Sequence, residues 1–426
     1  MSTIAASVEA ERARAVALFD QLRADGADPP GVSRDPYGEG EQRAHATIAA
    51  EAERLGLEIA RDAAANLYMT LPGRDRAAPS VVVGSHLDSV PHGGNFDGAA
   101  GVVAGLVAVA ALRRLGITPE CDLTVMGIRA EESIWFQVSY IGSRCALGTL
   151  PDNALAARRA DTGRTLAEHV AECGGDPNAL EARARHLDPA RVRAFLELHI
   201  EQAPQLVEAG KPVAICTGIP GNFRFPDARI EGSHDHVGLP RRFRRDAAMA
   251  GAEFAMAIER LWEERDERAV PMAATIGRFH TDAAVHGLTI VPGAFHFSLD
   301  VRAYDKAVLA ELEREVLAIV AGIEQRRGVR FHLGARAAAA IGPVDPAIRG
   351  GLARAAATLS IPTLDLGSPA SHDAAAFAAS GVPIGMIFVR NENGSHNPRE
   401  AMTIDDFLAG ASVMTQFLAD TLGGQE

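Results

Sequence analysis

Between Gly84 and Val102 the chain reads Gly-Ser-His-Leu-Asp-Ser-Val-Pro-His-Gly-Gly-Asn-Phe-Asp-Gly-Ala-Ala-Gly-Val, directly after the apolar run Val81-Val82-Val83. His86 and Asp97 thus fall on a glycine-rich loop at the carboxyl end of a strand-like segment, where α/β enzymes assemble metal sites. Three further apolar runs each lead into a side chain of the same kind: Glu131-Glu132, then His199, then His396. A lone histidine or a Glu-Glu pair is more often a polar surface group. The whole series, each member tied to a strand-like segment, instead points to a two-metal hydrolase.

Two co-catalytic divalent ions sit about 3.5–4 Å apart around one water and need a bridging carboxylate plus terminal ligands on each ion. Asp97, in the turn Phe96-Asp97-Gly98, can aim both oxygens and is the expected bridge. His86 and His199 complete one ion; Glu132 and His396 complete the other. Asp88 follows His86 by two residues and is expected to orient that imidazole. Glu131 diverges from Glu132 at a strand end, so it faces the substrate as the general base, passing a proton from the water to the leaving nitrogen. Zinc suits these nitrogen and oxygen donors, which also accept manganese, cobalt or nickel. His92, His234, His280, His286, His296 and His372 lack the same context.

Such a site needs rigid strands behind it, and the chain has the length for them. Its 426 residues, 47% hydrophobic, allow a sizeable core and two domains. Val81–Gly84, Leu123–Ile128, Phe195–Ile200 and Ile384–Val389 read as buried strands, and Ala99–Leu115 and Ala374–Ala379 as helices. Ser7–Leu57 reads helical with a break at Gly31–Glu41. The alternation implies an α/β fold, a mainly parallel sheet with helices on both faces. Residues 213–330 differ: in Phe295–Arg302 the apolar and polar residues alternate strictly, and helices are expected over Asp246–Glu264 and Lys306–Arg326. This is an α+β sandwich inserted into the first domain, which is therefore discontinuous (1–212 and 331–426).

A net charge of −13, from 42 Lys+Arg against 55 Asp+Glu, argues against nucleic-acid or anionic-membrane partners. Cys121, Cys145, Cys173 and Cys216 form no Cys-x-x-Cys pair, so free thiols are expected, and no signal or membrane segment is visible. A cytoplasmic setting follows as the expectation.

The chain resembles the zinc-dependent amidohydrolase family of N-carbamoyl-L-amino-acid amidohydrolases, allantoate amidohydrolases and ureidopropionases, related to dinuclear-zinc exopeptidases. The resemblance runs nearly end to end. It rests on Asp62-Ala63-Ala64-Ala65-Asn66-Leu67, Gly84–Val102, Glu131-Glu132, Gly142-Ser143-Arg144, Glu197-Leu198-His199-Ile200-Glu201-Gln202, Asp300-Val301-Arg302, His372-Asp373-Ala374 and Gly394-Ser395-His396-Asn397-Pro398-Arg399-Glu400. It implies hydrolysis of a linear carbon–nitrogen bond in an N-carbamoyl amino acid-like small molecule by a homodimer with two metal ions per subunit. It implies further that the insert is a lid and dimerisation domain and that His236 stabilises the oxyanion in a neighbouring subunit's site. Arg302 would hold the substrate carboxylate, with Asn222 and Gln202 near polar substrate groups. An acylase or dipeptidase, or a binding protein that has kept its metals, are the competing readings.

The chain departs from that family where substrates are recognised. Ser133-Ile134-Trp135-Phe136 replaces Gly-Ser-Arg-Phe, and His236-Val237-Gly238-Leu239-Pro240-Arg241 is one residue shorter than its counterpart. His286-Gly287-Leu288-Thr289 replaces an Asn-rich segment, and Ser368-Pro369-Ala370-Ser371-His372-Asp373 lacks two glycines. Ile134 and Trp135 lead us to expect a more apolar acyl or side-chain group.

Overall fold

Val81, Val83, Leu196 and Leu198 pack into one apolar cluster, while Val82, Phe195, Met386 and Phe388 pack into another. Successive strand residues point to opposite faces, so the sheet they form is buried on both sides. In this computed structural model, which describes residues 3–423, that sheet has eight strands. Their order is Thr363–Gly367, Val213–Gly218, Ile384–Val389, Val192–Ile200, Ser80–His86, Leu123–Ile128, Leu67–Leu71 and Glu58–Arg61. The four strands from Ile384–Val389 to Leu123–Ile128 are mutually parallel, and antiparallel pairings flank them. The fold is thus α/β with a mainly parallel sheet, as the sequence pattern implies.

The helix Ala99–Arg114 is buried from Ala99 through Leu112, and a helix apolar all round belongs inside. Together with Ile404–Leu422 it covers one face, while Asp373–Ala379 covers the other, where Phe377 stacks on Phe195 at 3.8 Å. The expected break in the N-terminal helical stretch is a short hairpin, Ala27–Asp28 with Gly31–Val32, and the loop that leads to the helix Glu39–Arg54.

The chain divides into two compact units, Met1–Ile219 with Gly342–Glu426, and Pro220–Ile341. Both bounds of the insert lie further along the chain than 213 and 330. Val213–Gly218 is a strand of the large sheet, whereas Arg330–His332 and Ala337–Ala339 pair with Gly221–Glu231 in the second unit.

The second unit is an antiparallel sheet backed by two helices, Ala247–Glu267 and Lys306–Arg327, capped by Asp246 and Asp305. Its strand Ala294–Ala303 alternates in burial along its whole length, as the pattern of Phe295–Arg302 requires. The partner strand Gly221–Glu231 carries an extra residue where the register shifts between Phe297 and Leu299, at Pro226-Asp227. Proline has no N–H to give a ladder, so a bulge accommodates it. No helix among the described residues is long and apolar enough to cross a membrane.

Candidate active site

The four parallel strands end side by side, and their carboxyl ends deliver the expected ligands. His86 closes its strand, His199 is one residue from the end of its own, and Glu131-Glu132 and His396 follow the other two. Asp97 precedes the helix Ala99–Arg114. His86, Asp97, His199 and Glu132 are buried, whereas the His396 side chain is half exposed.

Asp97 stands between two sets of donors. Its Oδ1 lies 3.3 Å from His86 Nε2 and 3.3 Å from His199 Nε2, while Oδ2 lies 3.6 Å from His396 Nε2. His396 Nε2 is in turn 3.2 Å from Glu132 Oε1. Potential ligand atoms of His86, Asp97 and His199 lie within 4.8 Å of one another, as do those of Asp97, Glu132 and His396. The rings are oriented from behind: His86 Nδ1 is 3.1 Å from the Asp88 carbonyl, and His199 Nδ1 is 3.0 Å from that of Ile200. Anchoring Nδ1 on a carbonyl turns Nε2 toward the shared carboxylate, the disposition of metal-ligating histidines.

Charge in the cluster has the same sense. Burial disfavours charge on His86 and His199, yet hydrogen bonds and attraction from Asp88 and Asp97 for the first, and Asp97 for the second, outweigh it and raise both rings above the usual imidazole range. His396 rises to about 9 through its hydrogen bond to Glu132. Burial alone would raise Asp97, but the two imidazoles hold it well below the usual carboxylate range. A cluster that favours positive charge at these atoms could hold metal ions, with His86, Asp97 and His199 in one group and Asp97, Glu132 and His396 in another.

Asp88 does more than the sequence suggested. Its Oδ1 accepts the backbone N–H of Glu131 and its Oδ2 that of Glu132, both at 3.0 Å, so Asp88 holds His86 through its carbonyl and the glutamate pair through its carboxylate. Glu131 itself is partly buried. Burial, joined by Glu132, Asp373 and Asp88, lifts its carboxyl well above the ordinary range despite the nearby His86. Ala130, Gln202 and His396 all have positive φ, near 53°, 62° and 59°, strain of the kind that gathers at functional sites.

Several supporting residues were assigned no role from the sequence. Arg34 is fully buried and donates to the carbonyls of Leu87 (2.6 Å) and Asp97 (3.3 Å), clamping the ends of the loop between them. Glu400 accepts the N–H of Phe96 and of Asp97, and Ser395 Oγ donates to Asp97 Oδ2 and Glu400 Oε2. Ser143 donates to buried Asp373 at 2.6 Å, and Glu197 accepts from Ser85 Oγ and the Ala374 N–H. His372, outside the expected ligand set, has its ring centroid 4.5 Å from that of His199, and burial keeps it well below the usual imidazole range.

The remaining expected residues are distributed differently. The Gln202 side-chain amide donates to Asp97 Oδ2 at 2.7 Å, so it supports the carboxylate. Trp135 is buried, with its indole N–H on the Ser89 carbonyl and the Arg159 guanidinium over its ring. It therefore braces the Ser89 turn, and of the substituted pair only Ile134, 49% exposed, offers an apolar surface. Asn222, His236 and Arg302 belong to the second unit. Asn222 is buried and accepts the Ala339 N–H, while Arg302 donates to Asp300. His236 is exposed, and the Gly238 N–H donates to its Nδ1 at 3.1 Å.

The pattern of peptidase family M20/M25/M40 matches residues 82–420. The chain is 36% identical over 386 residues to the N-carbamoyl-L-amino acid amidohydrolase of Geobacillus stearothermophilus, covering 90% of this chain and 92% of that one. It is 28% identical to the allantoate amidohydrolase of Bacillus subtilis, over 91% of this chain and 92% of the relative. Among solved structures, a hydantoinase/carbamoylase family amidase from Burkholderia ambifaria superposes with a TM-score of 0.84 at 30% identity, covering 97% and 98% of the two chains.

Proposed function

The chain belongs to peptidase family M20/M25/M40 and is an amidohydrolase acting on carbon–nitrogen bonds, and from that membership we propose that it cleaves the ureido bond of an N-carbamoyl amino acid-like compound. The observation that carries the proposal is the division of Asp97 between the His86–His199 pair and the Glu132–His396 pair. When bound there, two divalent cations, zinc foremost, would polarise the scissile carbonyl and acidify a water. The chain's own groups do the rest. Glu131 takes the proton of the attacking water and delivers it to the leaving nitrogen. Asp88 holds the Glu131 and Glu132 backbone still while this happens, and Gln202 and Ser395 steady Asp97.

The second unit serves as lid and dimerisation element in this reading, and a homodimer completes each site. His236, exposed on this unit, donates to the oxyanion in a neighbouring subunit's site, and Arg302 receives the substrate carboxylate through its planar fork. Ile134, exposed two residues after Glu132, favours an apolar substituent on the substrate.

The test is ammonia and amine release by metal-reconstituted protein over N-carbamoyl amino acids, N-acyl amino acids and dipeptides, with Glu131→Gln as blank. Ammonia release from a ureido compound, lost in the blank, is the expected result. Amine release from acyl compounds or dipeptides without ammonia would move the activity to the acylase or peptidase side.

A further inference from the structure

On the sheet of the second unit, two arginines share one carboxylate. Strand register sets Asp300 opposite Arg224 and Arg302 opposite Asn222, on the face away from Phe223, Leu299 and Val301. Arg224 Nε donates to Asp300 Oδ2 at 2.6 Å. Arg302 donates to the same group, from Nε to Oδ1 at 3.1 Å and from Nη2 to Oδ2 at 3.3 Å. The side chains are 36%, 22% and 28% exposed for Arg224, Asp300 and Arg302, so solvent reaches the trio without flooding it.

We propose that Arg224 and Asp300 are positioning residues for Arg302, and that Arg224 sets how strongly Arg302 draws a substrate carboxylate. The inference rests on the reading above in which Arg302 meets that carboxylate. Asp300 grips one edge of the guanidinium plane, which removes the rotational freedom a long side chain would otherwise lose on binding. Alone, however, an adjacent carboxylate would neutralise Arg302 and compete with the substrate for the same fork. Arg224 answers that charge from the neighbouring strand. Two guanidiniums against one carboxylate leave one positive charge in excess on this face, available to an anion.

The measurement is calorimetric binding of an N-carbamoyl amino acid and of its neutral carboxamide to metal-loaded protein in the Glu131→Gln background, which prevents turnover. Arg224→Met should weaken binding of the carboxylate about tenfold and leave the carboxamide unchanged. Asp300→Asn should weaken the carboxylate less. The double variant should bind it better than Arg224→Met does, because the excess charge returns, and Arg224→Lys should stay near the parent. A merely structural role predicts losses on both ligands and no rescue in the double variant. Equal shifts on the two ligands, or a carboxylate affinity unmoved by Arg224→Met, would overturn the inference. Should Arg224→Met fail to fold, Arg224→Gln removes the same charge and reads the same dependence. Steady-state turnover of the unmodified enzyme separates the two proposals. If it cleaves only N-acetyl amino acids, the ureido reading fails, and the N-acetyl amino acid and its carboxamide take over the binding comparison.

Discussion

Gly98 stands at φ near 65°, and a Cβ built on it would lie 2.5 Å from the imidazole of His86. The residue that turns the chain into the helix Ala99–Arg114 is thus also the floor on which a ligand ring rests. Only glycine meets both demands.

Gly98→Ala should therefore cost more than the usual strain of a left-handed residue, about 1–3 kcal/mol. His86 must also move, so zinc retention should fall with stability. Urea unfolding with metal analysis of the dialysed protein reads both. Wild-type metal content in a folded Gly98→Ala protein would contradict the packing described.

Glu131→Gln keeps the shape of the side chain and its backbone N–H on Asp88, and loses the base. Turnover should drop by about 10²–10⁴, the usual contribution of a positioned acid–base group, with bound metal unchanged. A variant that lost its metal in parallel would assign Glu131 to coordination.

Because Asp97 faces both donor sets, Asp97→Ala should bind at most one zinc equivalent where the parent binds two. Equilibrium dialysis followed by metal analysis decides this. Chelation of the parent protein should abolish activity, and added zinc or manganese should restore it.

Burial raises the Asp373 carboxyl from 3.8 to about 8, with Glu197 adding to the shift. The native protein thus binds a proton there that the unfolded chain releases near pH 4. The resulting stabilisation is full below that pH and is lost as pH rises toward 8. Asp373→Asn mimics the protonated acid and can keep the Ser143 bond, so between pH 5 and 8.5 it should lose less stability than the parent, by a few kcal/mol at most. Parallel slopes in urea titrations of metal-free protein would rule this out.

Much of the candidate site could be read from the chain because the residues that the fold brings together there sit beside apolar strand segments, a signal local in sequence. The same locality let the strand Ile384–Val389 be placed to the residue. The supports had no such signal. Glu400 reaches Phe96, 304 positions away, and Arg34 reaches Leu87 and Asp97 across 53 and 63, so only the folded sheet brings them together. The resemblance set Gln202 near polar substrate groups, and in the fold its side-chain amide donates to Asp97, a contact that no local pattern announces. The start of the insert was set too early because the change in residue texture at 213 precedes the change in topology. One more strand, Val213–Gly218, still belongs to the large sheet.

That sheet has an implication for biosynthesis. Ile384–Val389 lies between Val192–Ile200 and Val213–Gly218, so its place must stay open while the whole insert is translated. A nascent chain that has cleared residue 219 carries His86, Asp97, Glu132 and His199 but has a gap in the middle of its sheet. The central seam closes only when one of the last strands to emerge slides in, and His396 follows it seven residues later. A polypeptide cut short before that strand would expose two unpaired strand edges, the usual template for aggregation. Completion of the sheet and arrival of His396 are in effect one event.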